Sequence, residues 1–507
     1  MKAAVIGYPI DHSFSPMIFF YFSHFKDEMM TYEKIRISEA EDELKFFLQG
    51  AKKDHSFLGV NVTIPHKRSV LPFCDELSEG AREVGAANVL HFCDGKSKGY
   101  NTDIYGIEKS LDYFQEKSYW KMKRVLLIGA GGAAQAVFHV LCQYDVKAIV
   151  ILNRSKNGEV EFLKKWKDKF PQIEFEWEVF DQIKVTGNKL EKDNLSFDLV
   201  INCTPLGMNG LKARINENGI GEEIFSFIFQ KKFSAAKAYA FDLIYQPRET
   251  SFLRLAGQSG LMCLGGLEML VQQAKATWEI WFQHKDSTID EVGISGCRNF
   301  LQEIISIREK KKNIVLIGFM GSGKSTIGKI LADFLGGEFV DTDHLIEVEQ
   351  RKTISEIFNE NGERFFREYE GKILRKLLEE KKTRESNTKN ELGKCYIYST
   401  GGGILLGEGH GEMIQELGMI IYLECSSSEL MKRLALEMHK RPILTNLSPR
   451  ESLSKIEELL LERKSDYEAF ANFIIPSGEM SKSACIIDII HQASQYQASQ
   501  YQEKKNG

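Results

Sequence analysis

Gly318-Phe319-Met320-Gly321-Ser322-Gly323-Lys324-Ser325-Thr326 fits the pattern G-x-x-x-x-G-K-[ST] at every fixed position. Ahead of it, Asn313-Ile314-Val315-Leu316-Ile317 is a short apolar run that reads as a buried strand. Behind it, Ile327-Gly328-Lys329-Ile330-Leu331-Ala332 opens a helix. Strand, glycine loop and helix in that order make the pattern a phosphate-binding loop. The glycines let successive backbone N–H groups face an anion, and the helix N-terminus adds partial positive charge. Lys324 reaches for the outer phosphates of a nucleoside triphosphate, and Ser325 offers a hydroxyl to Mg²⁺. Gly321, Ser322, Gly323 and Thr326 complete the loop. A chance glycine turn followed by a lysine is the plain alternative, and both flanks count against it. The loop lies well past the middle of the chain, so something of domain size precedes it.

Length agrees, because 507 residues exceed one domain of roughly 100–200 residues. Hydrophobic content of 43% and charged content of 27% are ordinary for a soluble globular protein with real cores. A net charge of -5 and a pI of about 6.2 leave no basic excess to hold nucleic acid. No apolar run is long enough to span a bilayer, and Met1–Gly7 reads as a first strand rather than a signal segment. The nine cysteines are scattered without a Cys-x-x-Cys pair. They read as reduced thiols of a cytoplasmic protein, with no zinc site.

In the first half, Gly7-Tyr8-Pro9-Ile10-Asp11-His12-Ser13-Phe14-Ser15-Pro16 puts two hydroxyls on a turn. They serve either as a helix cap or as binders of a small polyol or carboxylate. Gly59 to Lys67 reads as an alternating strand ended by Pro65, which presents Thr63 and Lys67 at its mouth. A lysine in a cleft can exchange a proton, although a lone lysine usually faces solvent. Gly85-Ala86-Ala87-Asn88 offers an amide on a small-residue turn. Asn101-Thr102-Asp103 offers a polar trio, or simply a helix cap. Farther on, Val125-Leu126-Leu127-Ile128 runs into Gly129-Ala130-Gly131-Gly132-Ala133-Ala134, a dinucleotide-binding turn. A second strand, Ala148 to Leu152, follows at the expected spacing. A fold for NAD would place Asp or Glu at its end, but this chain has Asn153-Arg154-Ser155, which suits the 2′-phosphate of NADP. Two more strand-and-turn units follow, at Phe197 to Met208 and at Ala240 to Tyr245. The segment Gly265 to Ala274 then opens an apolar helix with an exposed amide face.

Together these stretches resemble shikimate dehydrogenase over residues 1 to roughly 285. The resemblance is carried by G-x-P-x-x-H-S-x-S-P at Gly7 to Pro16, N-V-T-x-P-x-K at Asn61 to Lys67 and G-A-x-N at Gly85 to Asn88. It continues with N-T-D-x-x-G at Asn101 to Gly106, G-A-G-G-A at Gly129 to Ala133, N-R at Asn153 and N-x-T-P-x-G-M at Asn202 to Met208. It implies NADPH-dependent reduction of 3-dehydroshikimate to shikimate, with Lys67 and Asp103 catalytic. It places Ser13, Ser15, Thr63, Asn88, Tyr245 and Gln273 on the substrate. It places Gly129, Ala130, Gly131, Gly132, Ala133, Asn153, Arg154, Ser155, Leu243 and Gly266 on NADP. Two positions depart from the family. Phe19-Phe20 stands where His-Asn is common and reads as packing behind the site. Gly158, with Lys156 nearby, stands where a second basic residue often follows. The chemistry of the residues agrees: hydride reaching a carbonyl carbon leaves charge on oxygen, and Lys67 can meet that charge with a proton.

Beyond the phosphate loop, Asp341-Thr342-Asp343 leaves a short strand with two carboxylates that can divide between Mg²⁺ and a substrate hydroxyl. Arg367 and Glu370 are three apart on a helix face, the spacing of an ordinary surface ion pair. Thr400-Gly401-Gly402-Gly403 after a strand suggests close backbone approach to a ligand. These residues, with Arg441-Pro442 and Glu462-Arg463-x-x-x-Tyr467, resemble shikimate kinase over residues 313 to about 491. The resemblance implies ATP-dependent phosphorylation of shikimate to shikimate 3-phosphate. It makes Lys324 and Asp343 catalytic and puts Asp343, Arg367, Gly402 and Arg463 on shikimate. It puts Arg441 over the phosphates and Ser325 and Asp341 on the metal. Leu434, with Arg433 beside it, stands where the family often has an arginine against adenine.

The expected architecture is α/β throughout. Residues 1–106 form a substrate domain completed by a helix around 266–285, and residues 107–265 form an NADP-binding Rossmann domain. A partly helical linker at 286–312 leads to a P-loop kinase domain at 313–491 with a central parallel sheet, and residues 492–507 form a tail. The polar stretch 383–391 reads as a loop. The reading is a bifunctional enzyme that makes shikimate and then phosphorylates it. Its alternatives are a chain in which only one half turns over and the other binds ligand, or a first half that also oxidises quinate.

Overall fold

The structure is a computed structural model. It describes all residues except 157–158, 181–195, 209–222, 230–236, 284–287, 387–393, 436–446 and 507, and omits the side chains of 41, 161 and 497–506. Its contacts divide it into two units, Met1–Asn299 and Phe300–Gly507.

In the first unit, the apolar run after Met1 forms β1 (Lys2–Gly7), buried from Ala3 onward. It lies parallel between β2 (Thr31–Arg36) and β3 (Phe57–Val62). β4 (Glu76–Leu77), β5 (Val89–Cys93) and β6 (Lys96–Tyr100) extend this mixed sheet to the order β2-β1-β3-β5-β6-β4. Asp94-Gly95, with φ of 51° and 73°, turns the β5–β6 hairpin, since a tight hairpin of this hand needs positive φ at both central residues. The helix Leu267–Trp281 crosses back onto this sheet, and the Trp281 indole donates to the Leu90 carbonyl at 3.1 Å. Gly59 leaves the room for that ring.

The second sheet is wholly parallel: β7 (Arg124–Ile128), β8 (Ala148–Asn153), β9 (Glu174–Val179), β10 (Leu199–Asn202), β11 (Tyr239–Asp242) and β12 (Met262–Leu264). Its order is β12-β11-β10-β7-β8-β9. Strands covered on both faces explain the unbroken apolar runs of β7 and β8. The order reverses between β7 and β10, which opens a crevice at their carboxyl ends. The amide face expected to be exposed on the helix Leu267–Trp281 is instead interior. Gln272 and Gln273 are buried, because the helix packs along Asp103–Phe114.

The second unit holds a five-stranded parallel sheet: β13 (Ile314–Ile317), β14 (Glu338–Asp341), β15 (Tyr396–Ser399), β16 (Met419–Glu424) and β17 (Phe473–Pro476), in the order β14-β15-β13-β16-β17. Most of the segment read as a linker is the helix Glu291–Lys310. Ile294, Cys297, Leu301 and Ile304 recur on one buried stripe, and that period, rather than a tether composition, is what the segment carries. Residues 383–386, read as loop, end the helix Ile354–Ser386, and 387–391 lie outside the described residues. The segment read as a tail continues the helix Lys482–Asn506, where Ala493 is buried and Tyr496 meets the Phe473 ring at 5.6 Å. Among the described residues no helix is long and apolar enough to cross a membrane.

Candidate active sites

In the first unit, Ser13, Ser15, Thr63, Lys67, Asn88, Asp103, Tyr245 and Gln273 all line one cleft of about 580 Å³. The capping reading of the serines is met in part: Phe14, at the N-cap of the helix Ser15–Lys26, offers no side-chain cap, while Ser13 Oγ accepts from the Ser15 amide at 3.3 Å. Ser13 Oγ also donates to Ser15 Oγ at 3.2 Å. Asp103 opens the helix Asp103–Phe114, and its carboxylate is not spent on capping. Oδ2 accepts from Lys67 Nζ at 2.6 Å and Oδ1 accepts from Asn88 Nδ2 at 2.8 Å. The helix N-terminus adds its field to the carboxylate. Lys67 is therefore neither lone nor solvent-facing: it is an ammonium held by a buried anion at the cleft floor. Tyr245 packs on Phe14 with ring centroids 5.2 Å apart, and its hydroxyl reaches the His12 carbonyl at 3.4 Å.

The dinucleotide turn sits at the strand-order reversal. Gly129 has φ of 92°, and a Cβ there would press on Thr204 at 2.7 Å. A Cβ at Gly131 or Gly132 would meet nothing within 4 Å. That open space lies over the uncapped start of the helix Gly132–Gln143, so the turn through Ala130 and Ala133 fits a dinucleotide pyrophosphate. At the end of β8, Asn153 Nδ2 and the Trp177 indole both donate to the Ser155 carbonyl, at 3.2 and 3.1 Å. Arg154 is exposed there, where a 2′-phosphate would need it. Gly158 lies outside the described residues. Opposite, burial pushes the Asp242 carboxyl up to about 7 against three donors, Thr250 Oγ1 at 2.6 Å, Asn202 Nδ2 at 2.9 Å and the Ile244 amide at 3.1 Å. Those bonds lock the chain that presents Leu243, while Gly266 donates its amide to the Ile244 carbonyl at 3.0 Å.

In the second unit, Gly318, Gly321 and Gly323 hold φ of 137°, 81° and 102°, which only glycine adopts freely. Lys324 Nζ donates to the Gly318 and Phe319 carbonyls at 2.7 and 2.8 Å. The loop through Ser322, Ser325 and Thr326 borders a cavity of about 630 Å³ that also reaches Asp341, Asp343 and Gly402. Ser325 Oγ donates to Asp341 Oδ2 at 2.7 Å and lies 3.1 Å from Ser399 Oγ. Hard oxygens beside a phosphate loop fit Mg²⁺. Asp341 also caps the helix Thr342–Gln350 through Oδ1, which aims Asp343 inward.

The Arg367–Glu370 pair is not a surface pair. Arg367 Nη1 meets Glu370 Oε2 at 2.7 Å, and the Glu370 side chain is fully buried. A Cβ on Gly401 would come within 2.7 Å of Asp343 and 2.8 Å of Glu370, so that glycine leaves room for two carboxylates. Arg463 Nη1 and the Tyr467 hydroxyl both donate to the Gly402 carbonyl, the former at 3.1 Å. Arg441 lies outside the described residues. Leu434 packs against Gly321, and the cation comes from Arg433, which donates to the Ser322 carbonyl at 3.4 Å and the Ser477 carbonyl at 2.8 Å.

Burial pushes Glu370 up to about 7, and Arg367 opposes the shift. Only the ionised carboxylate gives Arg367 its full charge-assisted bond. As pH falls through about 7, Glu370 gains a proton and Arg367 keeps only its exposed partner Glu363, at 2.8 Å, so the KM for a ligand held by Arg367 should rise. A KM profile over that range, compared with that of Glu370→Gln, checks this. The variant should be flat and high, and a wild-type profile without a step would refute it.

Sequence reasoning missed several residues. Asn61 lines the first cleft, and Thr102 and Thr277 lie buried behind it. Asn61 and Thr102 stand inside quoted motifs without a role of their own, and Thr277 is a polar residue at a buried position of an apolar helix, a signal without a motif. Ser399 and Ser477 line the second cavity, and nothing in their spacing marks them, while Arg433, which also lines it, stands out only as the neighbour of Leu434.

Comparison with known proteins bears on both units. Family models described as shikimate dehydrogenase substrate binding domain and shikimate / quinate 5-dehydrogenase match residues 5–90 and 113–184. A model described as shikimate kinase matches residues 320–494. The chain is 34% identical over 277 residues to the shikimate dehydrogenase (NADP(+)) of Methanosphaera stadtmanae, covering 55% of this chain and 89% of that one. It is 31% identical over 320 residues to that of Caldicellulosiruptor bescii, covering 63% and 99%. A solved chorismate mutase/shikimate 5-dehydrogenase fusion from Clostridium acetobutylicum superposes with a TM-score of 0.47 at 32% identity, covering 60% and 97%.

Proposed function

From a chain that belongs to the shikimate dehydrogenase family and carries a shikimate kinase domain after it, we infer a bifunctional enzyme. It reduces 3-dehydroshikimate to shikimate with NADPH and phosphorylates shikimate to shikimate 3-phosphate with ATP. What supports this reading is that each unit brings together residues expected to be catalytic. Lys67–Asp103 lies at 2.6 Å in one cleft, and Lys324 and Asp343 line the other, with Arg367 packed against Gly403 next to the cavity-lining Gly402. A half reduced to ligand binding would not need either set.

In the first cleft, NADPH supplies the hydride when bound across Gly129 to Ala133. Lys67, oriented by Asp103, gives a proton to the carbonyl oxygen as negative charge develops there. Asn88 holds Asp103 from its other oxygen, so the lysine stays aimed. Ser13 and Ser15 present hydroxyls to the substrate's acid end, and Thr63, Tyr245 and Gln273 line the remaining walls. In the second cavity, Asp343 takes the proton of the attacking hydroxyl. Arg367 and Arg463 receive the carboxylate, which arginine holds in bidentate geometry. Lys324 meets the charge spreading over the transferred phosphoryl. Ser325 and Asp341 would hold Mg²⁺ and keep it beside the loop.

A coupled assay on the purified chain tests the reading. With 3-dehydroshikimate, NADPH, ATP and Mg²⁺, NADPH oxidation should be followed by ADP release that depends on it. ADP release only when shikimate is supplied would overturn the first half of the proposal. NADPH oxidation with no ADP at all would overturn the second.

A further inference from the structure

Behind the serine pair runs a polar chain that no motif announced. Tyr32 on β2 has its hydroxyl in the interior, where burial raises it well above the usual phenol range. That hydroxyl donates to Asn61 Oδ1 at 2.7 Å. Phe19, the departure noted in the sequence, stacks flat on the Tyr32 ring at 4.5 Å with 10° between planes. Asn61 Nδ2 reaches Thr277 Oγ1 at 3.5 Å, and Thr277 Oγ1 lies 3.2 Å from Thr102 Oγ1. Asn88 Nδ2 then donates to Thr102 Oγ1 at 3.0 Å and to Asp103 Oδ1 at 2.8 Å. One connected run therefore joins Tyr32 to the Lys67–Asp103 pair.

We propose that Tyr32 and Thr277 are positioning residues for the dehydrogenase reaction, setting Asn61 at a fixed distance from Lys67 and Asp103. The proposal rests on the dehydrogenase reading above. An amide can turn over and present either oxygen or nitrogen. Tyr32 has one hydrogen and gives it to Asn61 Oδ1, which leaves the amide nitrogen for Thr277. Thr277 in turn donates to the Gln273 carbonyl at 2.9 Å, so its own oxygen is what Asn61 and Thr102 share. The Phe19 stack keeps the Tyr32 ring from tilting and excludes water that would compete for the bond. A polar pair in place of Phe19-Phe20 would not supply that apolar backing. Neither Tyr32 nor Thr277 lines the cleft, so both act through residues that do.

Tyr32→Phe in the full chain keeps the ring and the stack and removes only the hydroxyl. The KM for 3-dehydroshikimate should rise about tenfold, with kcat within about twofold and the KM for NADPH unchanged, as expected for one buried partner left unsatisfied. Thr277→Val should act in the same direction, and Thr277→Ser should restore wild-type behaviour. Because both residues act through Asn61, the double variant Tyr32→Phe/Thr277→Val should raise KM by less than the product of the single effects. Phosphorylation of supplied shikimate by the same preparations should be unchanged. An unchanged KM in Tyr32→Phe would overturn the proposal, as would effects that multiply independently or an equal fall in kcat from both residues without a change in KM. Wild-type chain that fails to reduce 3-dehydroshikimate would instead overturn the dehydrogenase reading itself.

Discussion

Replacing Lys67 by alanine should lower kcat for NADPH-dependent reduction by about 10³-fold, within the range usual for loss of a general acid. The reason is specific to the site. Asp103 is buried and bonded by Asn88 on one side and Lys67 on the other. Removing the lysine takes away the proton donor and leaves an anion facing the carbonyl oxygen on which negative charge must develop. The second effect opposes the reaction as the first deprives it, so the loss should fall on kcat more than on KM. The measurement is steady-state oxidation of NADPH with 3-dehydroshikimate. Phosphorylation of supplied shikimate by the same variant should keep its wild-type rate, since Lys67 belongs to the first unit and the phosphate loop to the second. Loss of both activities would contradict two independent sites.

Lys324→Ala should do the reverse, lowering ADP release by about 10³-fold while NADPH oxidation continues. Lys324 is nearly buried, and its ammonium sits on the Gly318 and Phe319 carbonyls at the mouth of the loop. These two bonds fix the direction of the ammonium, which is why it should serve the transition state with little reorganisation. Without it, the loop's backbone amides still bind phosphate, so nucleotide affinity should fall less than turnover. Measuring ADP release against ATP concentration separates the two. A variant that keeps kcat and loses only ATP affinity would move Lys324 from the chemistry to binding alone.

Much of this protein could be read from spacing. The phosphate loop needs glycine at three positive-φ positions and a lysine directly after the third, and no other residue types meet those demands. The dinucleotide turn is equally constrained, and the buried parallel strands on either side of it declare themselves by unbroken apolar runs. Such signals are local: each is decided within about ten residues by backbone conformation and by which side chains a turn allows. The two nucleotide sites and their α/β setting were therefore determined by the sequence alone.

What the tertiary structure decided is which side chains meet across large separations. Lys67 and Asp103 lie 36 residues apart, and Asn88 and Gln273 lie 185 apart. Whether Asp103 caps a helix or holds a lysine was undecidable from its neighbours, because both uses need the same residue at the same position. The Arg367–Glu370 spacing likewise matched a surface ion pair until packing against Asp343 and Gly401 buried it. Tyr32 and Thr277 stand in no motif: a polar group inside an apolar element shows only that some partner is needed, and folding alone chooses which.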